Sequence, residues 1–143
     1  MTSSKLIPAI SVAGLSLTGC TDPIIGDWEL TKINDDAFPL TGSYTAGGIT
    51  CSYEIAGGMS LAEQDDKSIG GELFISYSVG CEGFDTISSR SANSVTAAPG
   101  DKGAYTITDA EDSADTMACT LDGDMLMCTQ SDDTIEMMRV IEE

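Results

Sequence analysis

Beyond residue 25, apolar residues fall at every second position through most of the chain. Leu73, Ile75, Tyr77 and Val79 alternate with Glu72, Phe74, Ser76 and Ser78, and Ile49, Cys51, Tyr53 and Ile55 repeat the pattern earlier. A period of two marks a strand with one buried face. Further strands are predicted over residues 26–34, 59–63, 84–90, 94–97, 103–108, 116–122, 125–130 and 134–141. Between them lie Gly, Asp, Asn and Pro clusters, among them Asn34-Asp35-Asp36, Gly57-Gly58, Gly70-Gly71, Pro99-Gly100-Asp101 and the run Asp109 to Asp115. No stretch carries the spacing of an amphipathic helix. Eight to ten short strands joined in order by tight loops imply an all-β antiparallel meander, and a meander of this length removes its open edges by closing into a small barrel.

The sharpest local signal is Cys119-Thr-Leu-Asp-Gly-Asp-Met-Leu-Met-Cys128. A two-residue turn at Gly123-Asp124, which suits type II′, pairs Asp122 with Met125, Leu121 with Leu126 and Cys119 with Cys128 across a hairpin. A competing turn at Asp122-Gly123 would set Cys119 opposite Leu126 and oblige the thiols to bridge diagonally. With the first pairing, Cys51 bonds Cys81 by elimination. Four cysteines beyond residue 20 and no C-x-x-C pair favour two disulfides in an oxidising compartment over a metal site.

The N-terminus has a different character. Lys5 precedes an apolar run from Leu6 to Leu17 that ends in Leu17-Thr18-Gly19-Cys20. This layout resembles the signal peptide and lipobox of bacterial lipoproteins. The resemblance implies export, removal of residues 1–19 and attachment of acyl chains to Cys20, which would anchor the protein in a membrane of the cell envelope. The run contains Pro8 and Gly14 and is shorter than the ~20 apolar residues a spanning helix needs. Residues 20–25 then form a short tether of about 20 Å when extended, and residues 26–143 form the barrel domain. Thr21, rather than aspartate, follows Cys20, so an outer-membrane location facing the periplasm or the cell surface is the default expectation.

Loss of the leader removes only Lys5 among the charged residues, leaving five cations against 24 acids and a net charge of −19. Such a surface gains nothing from phosphate counterions, which argues against nucleic acid as a partner. Histidine is absent, so His-based triads, His-ligated metals and the usual near-neutral proton shuttle are unavailable. No pair of carboxylates is spaced to announce another catalytic mechanism, and no enzyme activity, cofactor or metal is expected. Asp109, Glu111, Asp112 and Asp115 lack the framework of a calcium loop and read as a solvated turn.

Gly26-Asp27-Trp28-Glu29-Leu30 opens the first strand, and Met138-Arg139-Val140 lies in the last. Joined to the run of strands, this pattern resembles the lipocalin or calycin superfamily, and with the lipobox it is similar to small lipocalin-like lipoproteins of Gram-negative bacteria. The resemblance implies that Arg139 packs across the Trp28 indole and closes one end of the barrel. It also implies a calyx for a small apolar molecule, for which Tyr53, Tyr77, Tyr105, Leu73 and Ile75 are the candidate lining. A chain this short can instead fill its barrel with its own side chains, making those aromatic residues simply core. Met117, Met125, Met127, Met137 and Met138 suit either an adaptable lining or gap filling. The alternative function is a non-enzymatic interaction protein, such as an envelope accessory or a barrel-type protease inhibitor, with a filled core and an unidentified protein partner.

Overall fold

A computed structural model describes residues 21–141, so the leader and Cys20 lie outside the described residues. Ten strands follow one another in the order β1 (Gly26–Ile33), β2 (Asp36–Ala37), β3 (Leu40–Ala46), β4 (Ile49–Glu63), β5 (Ile69–Cys81), β6 (Ile87–Pro99), β7 (Ala104–Asp109), β8 (Asp112–Asp122), β9 (Met125–Gln130) and β10 (Asp133–Arg139). From β4 to β10 each strand pairs antiparallel with the next, β10 pairs with β1, and β1 returns to β4. Eight strands thus close an all-β barrel, with β2 and β3 added outside the ring.

The turn at Gly123-Asp124 sets Asp122 against Met125 and Cys119 against Cys128. Of its two central residues only Gly123 has a positive φ, 63°, as a type II′ turn demands. The Cys119–Cys128 and Cys51–Cys81 disulfides both form across neighbouring strands.

The strands are longer than the sequence pattern implies. The segments read as 49–55 and 59–63 are one strand, β4, running through Gly57-Gly58, and those read as 84–90 and 94–97 are one strand, β6. Gly57-Gly58 is the place where β4 changes partners. Below it β4 pairs with β1, from Gly26 opposite Leu61 to Glu29 opposite Gly58; above it β4 pairs with β3. A Cβ on Gly58 would stand 2.4 Å from the Trp28 carbonyl oxygen, so the absence of a side chain, rather than a turn, is what this position requires. β3 is not among the strands expected from the sequence: Thr41, Ser43 and Thr45 do alternate with Leu40, Gly42, Tyr44 and Ala46, but only Leu40 and Tyr44 on that face are large apolar residues, so the signal is weak. The acidic run shrinks to a tight turn, since Asp112 and Asp115 already belong to β8.

The partner change splits the molecule into two regions. Interior positions of the ring, including Leu30, Met59, Leu61, Val95, Ile107, Leu126 and Met137, form one buried core. The upper halves of β4, β5 and β6, with β3, continue past the ring as a four-stranded wing. There the same alternating face that fills the barrel emerges into solvent: Ile75 is 42% exposed, Tyr77 39% and Ile87 66%.

Candidate ligand-binding site

The two ends of the ring are built differently. At the end where β1 starts, residues 22–25 do not hang free as a tether; Ile24 is fully buried in the core, and the Ile25 amide donates to the Asp22 carbonyl in a turn. Ile24 plugs the barrel floor. Trp28 Nε1 donates to the Ile24 carbonyl at 2.8 Å, which satisfies the one polar atom of an indole that is only 1% exposed. Arg139 sits directly opposite Trp28 in the β10–β1 register, its guanidinium 4.5 Å from the ring centre. The same guanidinium donates to the Ile25 and Pro23 carbonyls and pairs with Asp124 at 3.0 Å. One cation therefore ties the plug, the first strand and the β8–β9 turn together.

Tyr105 completes this floor. It is buried, and its hydroxyl donates to Asp22. Burial, and then the hydrogen bond to and charge of Asp22, push its pKa up to about 12, because both disfavour the phenolate. Tyr105 is a structural residue of the closed end and lies away from the open one.

At the opposite end the barrel is open. A cavity of about 250 Å³ enters there between Leu30, Leu73, Val95, Ile107, Met117 and Met137, with Ile75 at its outer edge. Asp109, Asp115 and Gln130 stand among its polar lining. Gln130 Nε2 donates to Asp115 at 2.6 Å and the Asp109 carboxylate accepts the Glu111 amide at 2.8 Å, so both acids are held in place. Among the described residues no Lys or Arg lines the cavity.

Of the five residues proposed from the sequence as ligand lining, Leu73 and Ile75 are on the cavity wall. Tyr53 and Tyr77 belong to the wing, Tyr53 lying beside Tyr44 with ring centres 6.5 Å apart and planes tilted by 38°, and Tyr105 is in the floor. The apolar lining that sequence reasoning left out comes from β1 and from β6 to β10, where Leu30, Val95, Ile107 and Ile135 differ from other strand residues only in their height along the barrel. Met117 and Met137, singled out as soft side chains, are both at the cavity. Of the acids in the run, Asp109 and Asp115 line the mouth and Glu111 and Asp112 do not, and among the described residues no three or more His, Cys, Asp or Glu side chains converge on a metal position.

Fold and site together define a small closed antiparallel barrel, plugged at one end and open to an apolar mouth at the other. No family model matches the chain, and neither the curated proteins nor the solved structures provide a match.

Proposed function

We propose that this protein is a lipid-anchored, lipocalin-like barrel of the bacterial envelope that holds a small apolar molecule in its open mouth and performs no catalysis. The observation that carries the reading is the apolar cavity of about 250 Å³ on the side of the ring away from the plugged floor. Two disulfides support an oxidising compartment. Thr21 leads straight into the plug, so anchoring through Cys20 would seat the floor next to the headgroups and turn the mouth away from the bilayer. The volume lies below the ~300 Å³ at which ordinary ligand pockets begin, which favours a compact guest or the end of a longer one. With Asp109 and Asp115 as the charged lining residues among those described, a neutral molecule fits better than a fatty-acid carboxylate.

The test has two arms. Metabolic labelling with palmitate should mark the wild-type protein and not Cys20→Ala. Titration of the secreted Cys20→Ala form, behind a replacement leader, with a neutral naphthylamine dye should show saturable fluorescence enhancement. Leu73→Trp, which fills the cavity wall, should weaken that binding at least tenfold. Equal binding by both forms would remove the mouth as the site, and absence of label would remove the anchor.

A further inference from the structure

The wing has a feature that the ligand reading does not use. β6 pairs with β5 along its length from Ile87, but β7 joins it only from Val95 onward. Residues 87–93 therefore form an open edge. The direction of its backbone groups follows from one hydrogen bond: the Ala110 amide donates to the Ser94 carbonyl at 2.8 Å, so Ser94 presents its backbone toward the β7 side. Backbone direction alternates along a strand, and Ser88, Arg90 and Ala92 consequently aim their N–H and C=O groups the same way, past the end of β7, where no strand among the described residues receives them.

Natural edges are usually blunted by an outward Lys, a Pro or a bulge. Here the single cation does not serve that purpose. Arg90 folds back over β5, pairing with Glu72 and lying 4.3 Å from the Phe74 ring centre. The other face of the wing is the one continuous with the barrel interior, and it has no charged residue on β3 to β6. On that face the large side chains Ile75 and Tyr77 stand directly across from Ser91 and Ser89. Small residues along the outer strand leave a lane in which a guest strand's apolar side chains can reach Ile75 and Tyr77.

Charge is concentrated at the two ends of this lane. Glu82 and Asp85 occupy the turn beyond Ile87, and Asp109, Glu111 and Asp112 surround the β7–β8 turn that abuts Ser94. A second copy of this chain is a poor occupant. Two-fold antiparallel pairing centred on residues 87–93 would set Arg90 against Arg90 and bring together two molecules of strong negative charge.

We propose that the 87–93 edge and the uncharged face beside it bind an extended segment of another polypeptide by strand addition. That segment alternates apolar and polar side chains and carries basic residues at its ends. Backbone pairing to Ser88, Arg90 and Ala92 supplies the affinity, and the lane over Ser89 and Ser91 selects the apolar side chains.

The experiment uses the full lipoprotein in nanodiscs and three capped peptides. One has lysine ends and a Val/Thr-alternating interior, the second has the same interior with glutamate ends, and the third has lysine ends with a central proline. The lysine-ended alternating peptide should bind at least tenfold more tightly than either of the others, with the margin over the glutamate form shrinking as salt is raised. Hydrogen exchange should slow at the amides of Ser88, Arg90 and Ala92 in the complex. Ala92→Pro removes one outward N–H without touching the β5 ladder and should weaken binding tenfold or more, whereas Ala92→Ser should leave it unchanged. Equal binding of the proline-interrupted peptide would reduce the effect to bulk charge and overturn the proposal. So would protection appearing on β3 instead of β6, or the same protection arising from self-association without peptide. Dye binding at the mouth is read separately, so failure here leaves the ligand reading standing.

Discussion

The plugged floor and the wing place similar residues in opposite circumstances. Both are antiparallel sheet with one apolar face, and each contains a cross-strand disulfide. At the floor that face is wrapped into a ring and sealed by Ile24, so Trp28 is 1% exposed; on the wing it is laid open, so Tyr77 is 39% exposed. The difference lies in closure. An apolar face that meets its own other side contributes stability, whereas one that ends in water contributes little and remains available for binding.

Truncation is the most severe way to break this comparison. Trp28→Ala should cost about 3–5 kcal/mol of unfolding free energy, because it opens a cavity under the plug, orphans the Ile24 carbonyl and removes the ring beneath the Arg139 guanidinium. Tyr77→Ser on the wing should stay within about 0.5 kcal/mol. Urea denaturation with both disulfides intact measures the two, and a comparable loss at Tyr77 would show that the wing face is sealed in solution.

Disulfide removal sharpens the contrast. The chain-entropy model assigns about 3.7 kcal/mol to the larger Cys51–Cys81 ring and about 2.7 kcal/mol to the Cys119–Cys128 ring, if both constrain one cooperative unit. Cys51 is the only wing residue among the buried hydrophobics, so the wing should loosen by itself. We expect Cys51→Ala/Cys81→Ala to reduce global stability less than Cys119→Ala/Cys128→Ala, reversing the ring-size order, while exchange accelerates in β3 and the upper halves of β4 and β5. If the larger ring instead proves worth more, the wing and barrel unfold as one.

The smallest effect is reached by pH. Tyr105 in the floor has its pKa raised to about 12, so its contribution is whole below the unfolded tyrosine value near 10 and disappears as pH climbs through 12. Wild-type stability should fall by about 2 kcal/mol over that interval beyond the decline seen in Tyr105→Phe. Spectrophotometric titration set beside denaturation of the two proteins would check this. Identical pH profiles for wild type and Tyr105→Phe would remove Tyr105 from the floor's energetics.

Much of the ring was legible in the chain because strand alternation and turn chemistry are local. Cys119, Gly123 and Cys128 settle a hairpin within ten positions, and Leu73 and Ile75 reveal a buried face by spacing alone. Alternation does not say what lies on the other side of that face. Ile75 and Met59 carry the same pattern, yet one reaches solvent and the other is fully buried. Likewise, Gly57-Gly58 read as punctuation because a glycine pair is equally consistent with a turn and with a close approach of two backbones. Tyr105 shares its strand context with Tyr53 and Tyr77, and nothing in its neighbours along the chain distinguishes a residue near the floor from one near the mouth.

By itself the amino-acid order determined an all-β chain, its antiparallel succession and its two disulfide pairings, because each depends on residues near one another or on elimination among four cysteines. Only the tertiary structure decided where the ring closes, that residues 22–25 turn inward as a plug, and that three strands outrun their neighbours to form a wing. Those outcomes depend on strand register between residues far apart, such as Trp28 against both Arg139 and Met59. Register is set by which long-range pairings bury the most surface together, a property of the whole ring and of no segment within it.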